Sequence, residues 1–219
     1  MIDPIRFDAL LAADYAIASE PWEHAFVACA QGRFIEAIAI GTPLLDLADA
    51  EVRAQARLTV GSAMRQLGRY DTARSIERVH DLEDPIARAH LFVSQAADAV
   101  GLGALRVAHG ALGIATQLIE EADPGSSTRR ARIRCGWVEA EVALASDAPA
   151  LALEALEPAR ALSPGWPRHE AKTALFEGVA HRGLGALEAA RERWTQALEG
   201  ANAIGAEPIA RVASDLLAP

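Results

Sequence analysis

The chain has 219 residues, a formal net charge of -9, and 51% hydrophobic but only 5% aromatic residues. Such an acidic, Ala-rich chain argues against nonspecific binding to DNA, RNA or anionic membranes, and suits close-packed helices better than sheets. The acidic, Pro-broken start Met1-Ile2-Asp3-Pro4 is unlike a signal peptide, and no apolar run reaches the roughly 20 residues that span a bilayer. A cytoplasmic location is therefore expected. Cys29 and Cys135 then read as small buried hydrophobes of a reducing compartment. Lys172 is the one lysine beside many arginines, a bias that points to a GC-rich bacterial genome.

In chain order, residues 5–18 read as a helix with Asp3 as N-cap and Pro4 in its first turn. A second helix runs from Pro21 to just before Gly32, and Phe34, Ala37, Ile38 and Leu44 mark the next. Residues 51–67 predict a helix that stops at Gly68, and Tyr70, Ala73, Ile76, Glu77 and His80 continue at helical steps. Asp84-Pro85 opens a helix over 86–101, and Leu105, Ala108, Leu112 and Ala115 follow. Asp123-Pro124-Gly125-Ser126-Ser127 is the strongest loop signal. Helices over 129–145, from Asp147 past Ala159, over 168–183, from Leu187 to Ala201 and from Pro208 onward complete the chain. No segment alternates like a half-buried strand.

A phrase recurs along this pattern: a small residue or Gly, an apolar residue, then Ala three residues later. Its clearest copy is Gln66-Leu67-Gly68-Arg69-Tyr70-Asp71-Thr72-Ala73-Arg74. The turn residues Gly32, Gly68, Gly103, Asp147 and Gly185 are spaced by 36, 35, 44 and 38 residues. Self-similarity at this period means stacked helix-turn-helix units.

With Gly61, Gly68, Tyr70, Ala73 and Pro85 in the clearest unit, the chain resembles the tetratricopeptide repeat (TPR) family. Further units carry Ala25, Gly32, Phe34 and Ala37; Ala96, Gly103, Leu105 and Ala108; Ala140, Ala152, Leu156 and Ala159; and Gly178, Gly185, Leu187, Ala190 and Trp194. The intervals exceed the family period of about 34, so longer inter-repeat loops are expected. The resemblance implies an all-α, right-handed α-solenoid of antiparallel helix pairs. It would form one domain: an N-terminal helix over 1–19, about five hairpins over 20–204 and a capping helix over 205–219.

The resemblance also implies that the first helix of every hairpin lines a concave groove. Its residues would be Trp22, Phe26, Gln55, Leu58, Ser62, Arg65, Gln66, His90, Val93, Arg134, Trp137, Glu141, Lys172, Leu175 and Arg182. Exposed aromatics among cations would suit a peptide or protein segment with acidic and apolar side chains. The family's clamp for a C-terminal carboxylate needs Asn on the first helices, and the single Asn, Asn202, lies elsewhere.

Catalytic and metal constellations are poor. His80, Asp81, Glu83, Asp84 and His90 surround one turn, but their spacing matches no metal site and a solvated acidic loop explains them better. Gly101-Leu102-Gly103 follows a helix and has Arg106 where a dinucleotide loop needs its third Gly. Glu141 beside Trp137 reads as an ordinary surface acid, Trp166 lacks a distinctive partner, and Arg129-Arg130-Ala131-Arg132 reads as a solvated helix start. No cofactor or metal is expected.

The expected function is thus a noncatalytic interaction module. A sensor of a peptide or small ligand, a self-assembling protein and an enzyme with an atypical pocket are the alternatives. If Ala73 and Ala190 sit at helix crossings, a large residue at either should cost roughly 1–3 kcal/mol in chemical denaturation.

Overall fold

The computed structural model describes residues 2–79 and 82–218. Among them the chain forms twelve α-helices and two short 3-10 turns, with no β-strand. The helices are α1 (Pro4–Leu11), α2 (Pro21–Ala30), α3 (Phe34–Gly41), α4 (Ala50–Gln66), α5 (Tyr70–Ile76) and α6 (Pro85–Gly101). They continue as α7 (Leu105–Glu120), α8 (Ser126–Ala145), α9 (Pro149–Leu162), α10 (Pro167–Gly183), α11 (Leu187–Ala203) and α12 (Glu207–Leu217). None is long and apolar enough to cross a membrane.

The chain divides into two compact units, one of residues up to Leu10 with Asp14–Ala131, the other of Leu11–Ala13 with the residues from Arg132 on. In the first, α2 packs on α3 and α4, α3 on α4, α4 on α5 and α6, and α6 on α5 and α7. In the second, α10 packs on α9, α11 and α12, and α11 on α12. Partners are thus neighbours in sequence, which keeps loop-closure entropy low.

One helix stop recurs. A residue in the left-handed region ends α1 (Ala13), α2 (Gly32), α4 (Gly68), α6 (Gly103), α8 (Asp147), α10 (Gly185) and α11 (Gly205). The next N–H then donates to the carbonyl five residues back, as in Arg69 to Met64 (2.9 Å), Ala104 to Ala99 (2.8 Å) and Ala148 to Ala143 (2.9 Å). This bond satisfies a carbonyl that the helix end would otherwise leave open. A Cβ added at Gly68 would meet nothing within 4 Å, so its φ of +73°, not crowding, selects glycine there.

Close crossings explain the small residues. Ala37, Ala73, Ala108, Ala152 and Ala190 are wholly buried on α3, α5, α7, α9 and α11. Facing positions are as tight: a Cβ at Gly61 would lie 2.2 Å from Glu77 Oε1, and one at Gly178 2.3 Å from Trp194 Nε1. Asp49 and Asp84 cap α4 and α6 by accepting two backbone N–H groups each. Asp3 Oδ1 accepts from Ile5 N at 2.9 Å, as expected of an N-cap. Cys29 and Cys135 are buried and form no disulfide.

The structure corrects three boundaries. The helix expected over 5–18 stops at Leu11, because Ala13 adopts φ +66° and a 3-10 turn follows at Tyr15–Ile17. Ser126 and Ser127 belong to α8 rather than to a loop, and the 20-residue α8 accounts for the long interval before Asp147. The helix from Tyr70 ends at Ile76, where Glu77 leaves helical geometry. The continuation expected to His80 lies outside the described residues, as does Asp81. On α12, Val212 is exposed while Ile209 and Ala213 are buried.

Gly68→Ala should cost about 1 kcal/mol, because alanine disfavours the left-handed stop. Asp147→Gly should change stability by no more than about 0.5 kcal/mol, because Asp already tolerates that geometry. Urea unfolding followed by circular dichroism measures both.

Candidate functional site

The first unit holds a pocket of about 380 Å³, in the range of ligand sites. Four helices contribute: α1 (Pro4, Phe7), α4 (Glu51, Ala54, Gln55, Leu58), α6 (Ile86, Ala87, His90) and the first turn of α8 (Ser126, Ser127, Thr128). Ile2, Asp84, Asp123 and Gly125 complete the lining. The Asp84 cap sets the start of α6, and Thr128 Oγ1 donating to Asp123 O at 2.7 Å sets that of α8.

Gln55, Leu58 and His90, all expected in a groove, meet here, and all are buried. His90 Nε2 lies 3.2 Å from Ser127 Oγ. Gln55 Oε1 is 3.4 Å from Arg130 Nη1, and Gln55 Nε2 is buried without an acceptor. An aromatic cluster adjoins the pocket through Phe7, whose ring centroid is 6.1 Å from both Trp22 and Phe26. The Arg130 guanidinium lies over Phe7 (5.4 Å) and Phe26 (5.6 Å). Arg130 was expected on a solvated helix start and is instead half-buried in this cluster.

The expectation of exposed groove aromatics is corrected: Trp22 is 6% exposed and Trp137 4%. Trp22 packs beneath α1, which Arg6 pins by two bonds to Glu23, Nε to Oε1 at 2.8 Å and Nη2 to Oε2 at 2.6 Å. Those bonds hold the Glu23 carboxyl down at about 2, against the opposing effect of burial.

Arg65 is also turned inward. Its Nε donates to Asp98 Oδ1 at 2.6 Å and its Nη2 to both Glu77 oxygens at 2.9 and 3.0 Å. Glu77 and Asp98 are wholly buried, so α4, α6 and the end of α5 share one ion cluster. Burial opposes the Arg65 charge, but the two acids outweigh it and raise its pKa. Two acids facing one guanidinium would bury a net negative charge. Burial therefore pushes the Glu77 carboxyl up to about 8, with Asp98 adding to the effect and Arg65 resisting it. A buried, strongly perturbed acid is what a catalytic pocket would need, yet Glu77 does not line the pocket above. Ser62 is half-buried and Gln66 exposed on α4, and Val93 is buried on α6.

In the second unit, Trp137 of α8 donates from Nε1 to Thr173 Oγ1 at 2.9 Å and stacks with His169 at 5.3 Å. Lys172 Nζ lies 4.5 Å from the Trp137 ring and 5.3 Å from that of Phe176. Trp166, expected to lack a partner, is buried 5.1 Å from His169. Arg134 and Glu141 on α8 and Leu175 on α10 are half-buried, and the exposed Arg182 lies 5.3 Å over Trp194. Glu177 sits between Arg160 (3.9 Å) and Arg193 (3.4 Å), the inverse of the first unit's ion cluster.

No group of three or more His, Cys, Asp or Glu among the described residues could hold a metal ion. Of the acidic turn weighed as a ligand set, Glu83 and Asp84 are exposed and His90 is buried, while His80 and Asp81 lie outside the described residues. No protein-family model matches the chain, and no curated protein matches it. Sequence reasoning missed Phe7, Ser127, Glu77 and Asp98, whose partners lie far along the chain and leave no local spacing to read.

The ion cluster predicts a pH dependence. Folded Glu77 keeps its proton between its ordinary value of 4.5 and about 8, where the unfolded chain has released it. Its stabilisation is complete below the lower value and is lost as pH rises through the upper one. Urea unfolding should therefore show the wild type more stable at about pH 5.5 than at about pH 8.5, by on the order of 1 kcal/mol or more. Glu77→Gln can donate to Asp98 and accept from Arg65 at every pH, so it should flatten this slope. Glu23 acts on the acid side, its contribution being lost as pH falls from 4.5 towards about 2.

Proposed function

We propose that the chain is a noncatalytic interaction module, a TPR-like right-handed α-solenoid of about five helical hairpins with capping helices at its ends. It holds a peptide or protein segment on the face formed by the first helices of the hairpins. The recurring left-handed stops, the buried alanines and the packing between sequence neighbours support the solenoid reading. The observation that carries the binding role is the pocket itself. It opens among α4, α6 and α8, three first helices of the proposed hairpins, beside α1. Of the cations expected to attract an acidic partner, Arg65 is held by two buried acids, Lys172 is half-buried over aromatic rings and Arg182 stays exposed over Trp194. A volume of about 380 Å³ also suits one small ligand, which keeps a cytoplasmic sensor acting through a partner as the second reading.

Ala87 is half-buried on the pocket wall, and Ala87→Trp fills the space without removing a polar contact. Affinity capture from a lysate of the source cells should yield a partner that the wild type and Ile35→Ser retain and Ala87→Trp loses by about tenfold or more. Ile35 is 71% exposed on α3 and serves as the control. Equal capture by all three proteins would place binding elsewhere on the molecule.

A further inference from the structure

The charges around the pocket are already answered or stand in water. Asp84 accepts from Ile86 N and Ala87 N as the cap of α6, Glu51 accepts from Ile2 N at 2.5 Å, and Asp123 is exposed. No Lys or Arg belongs to the described lining. Arg130, which approaches Gln55, keeps its guanidinium over Phe7 and Phe26. Phe7, Ala54, Leu58, Ile86 and Ala87 give the pocket an apolar wall. A charged group entering it would give up hydration with no buried counter-charge to replace it.

Gln55 brings an unmet donor to this wall. It is only 6% exposed, and its Nε2 has no acceptor. A buried N–H without an acceptor is unfavourable until something supplies an oxygen. The other end of the amide meets Arg130 Nη1 at 3.4 Å, beyond the usual range of a hydrogen bond from nitrogen. Little is therefore lost when the amide turns its nitrogen toward the cavity. A carboxylate would bring the missing oxygen together with a buried charge, whereas a carbonyl brings it without one.

We propose, resting on the small-ligand reading above, that the pocket holds a small uncharged molecule with an apolar body and a carbonyl oxygen, an amide or a ketone, and that Gln55 Nε2 donates to that oxygen. The body packs against Phe7, Leu58 and Ala87, where its apolar area leaves water. Recognition then rests on shape and one hydrogen bond rather than on an ion pair, which makes it insensitive to salt.

Arylalkyl probes of one carbon skeleton, ending in an amide, a methyl ketone, a carboxylate or an ammonium group, test the assignment by saturation-transfer NMR with the full chain. The amide and ketone probes should bind, and Ala87→Trp should abolish both signals. The carboxylate and ammonium probes should bind at least about tenfold more weakly. Titration calorimetry with phenylbutyramide should give the same affinity at low and high sodium chloride, and about tenfold weaker binding to Gln55→Met. Circular dichroism should show that variant folded, because methionine has no donor to strand. Unchanged affinity for Gln55→Met would overturn the role of Gln55. Tighter binding of either charged probe, lost with Ala87→Trp, would overturn the assignment and leave the pocket a small-ligand site. If no probe signal depends on Ala87, the assignment and the small-ligand reading both fall, while the peptide reading is decided by the capture experiment.

Discussion

Every helix in this chain has to end somewhere that lets the next one lie against it. Seven ends solve the problem through one residue in the left-handed region, followed by a backbone bond that reaches five residues back. The bond closes the helix and turns the chain in the same step. After five of these ends the following helix approaches so closely that the alanine at its crossing position is wholly buried. Stop and crossing are separate demands, one on backbone torsion and one on volume, and after five of these stops the molecule meets both within a few residues.

This pairing explains what was legible. Gly32, Gly68, Gly103, Asp147 and Gly185 stand out because only a few residue types accept positive φ. Ala73 and Ala190 stand out because each follows, three residues on, the apolar residue after a turn glycine. Both signals are local, and both point to helices packed on their sequence neighbours. The end of α1 was illegible for the converse reason: Ala13 carries no mark of the left-handed geometry it adopts.

The site was legible only in outline. Gln55, Leu58 and His90 are implied by the family resemblance and come together in one pocket. What surrounds them does not follow. Arg130 meets Gln55 across 75 residues and Arg65 meets Asp98 across 33, so the same residue type reads alike whether solvated or locked inside. Reading Arg65 and Lys172 as surface cations made the partner look acidic. Arg65 is instead matched by two buried acids, and Lys172 lies over the rings of Trp137 and Phe176.

The proton held by Glu77 alters the electrical identity of the molecule. Counting side chains assigns -9 at neutrality. With Glu77 held neutral, the folded chain carries one negative charge fewer than that count, while the unfolded chain carries all of them. Folding at neutral pH is therefore a proton-consuming reaction. The heat a calorimeter records for unfolding will include the ionisation heat of whichever buffer takes up the released proton. The folded and unfolded forms will also migrate differently in an electric field for a reason unrelated to size.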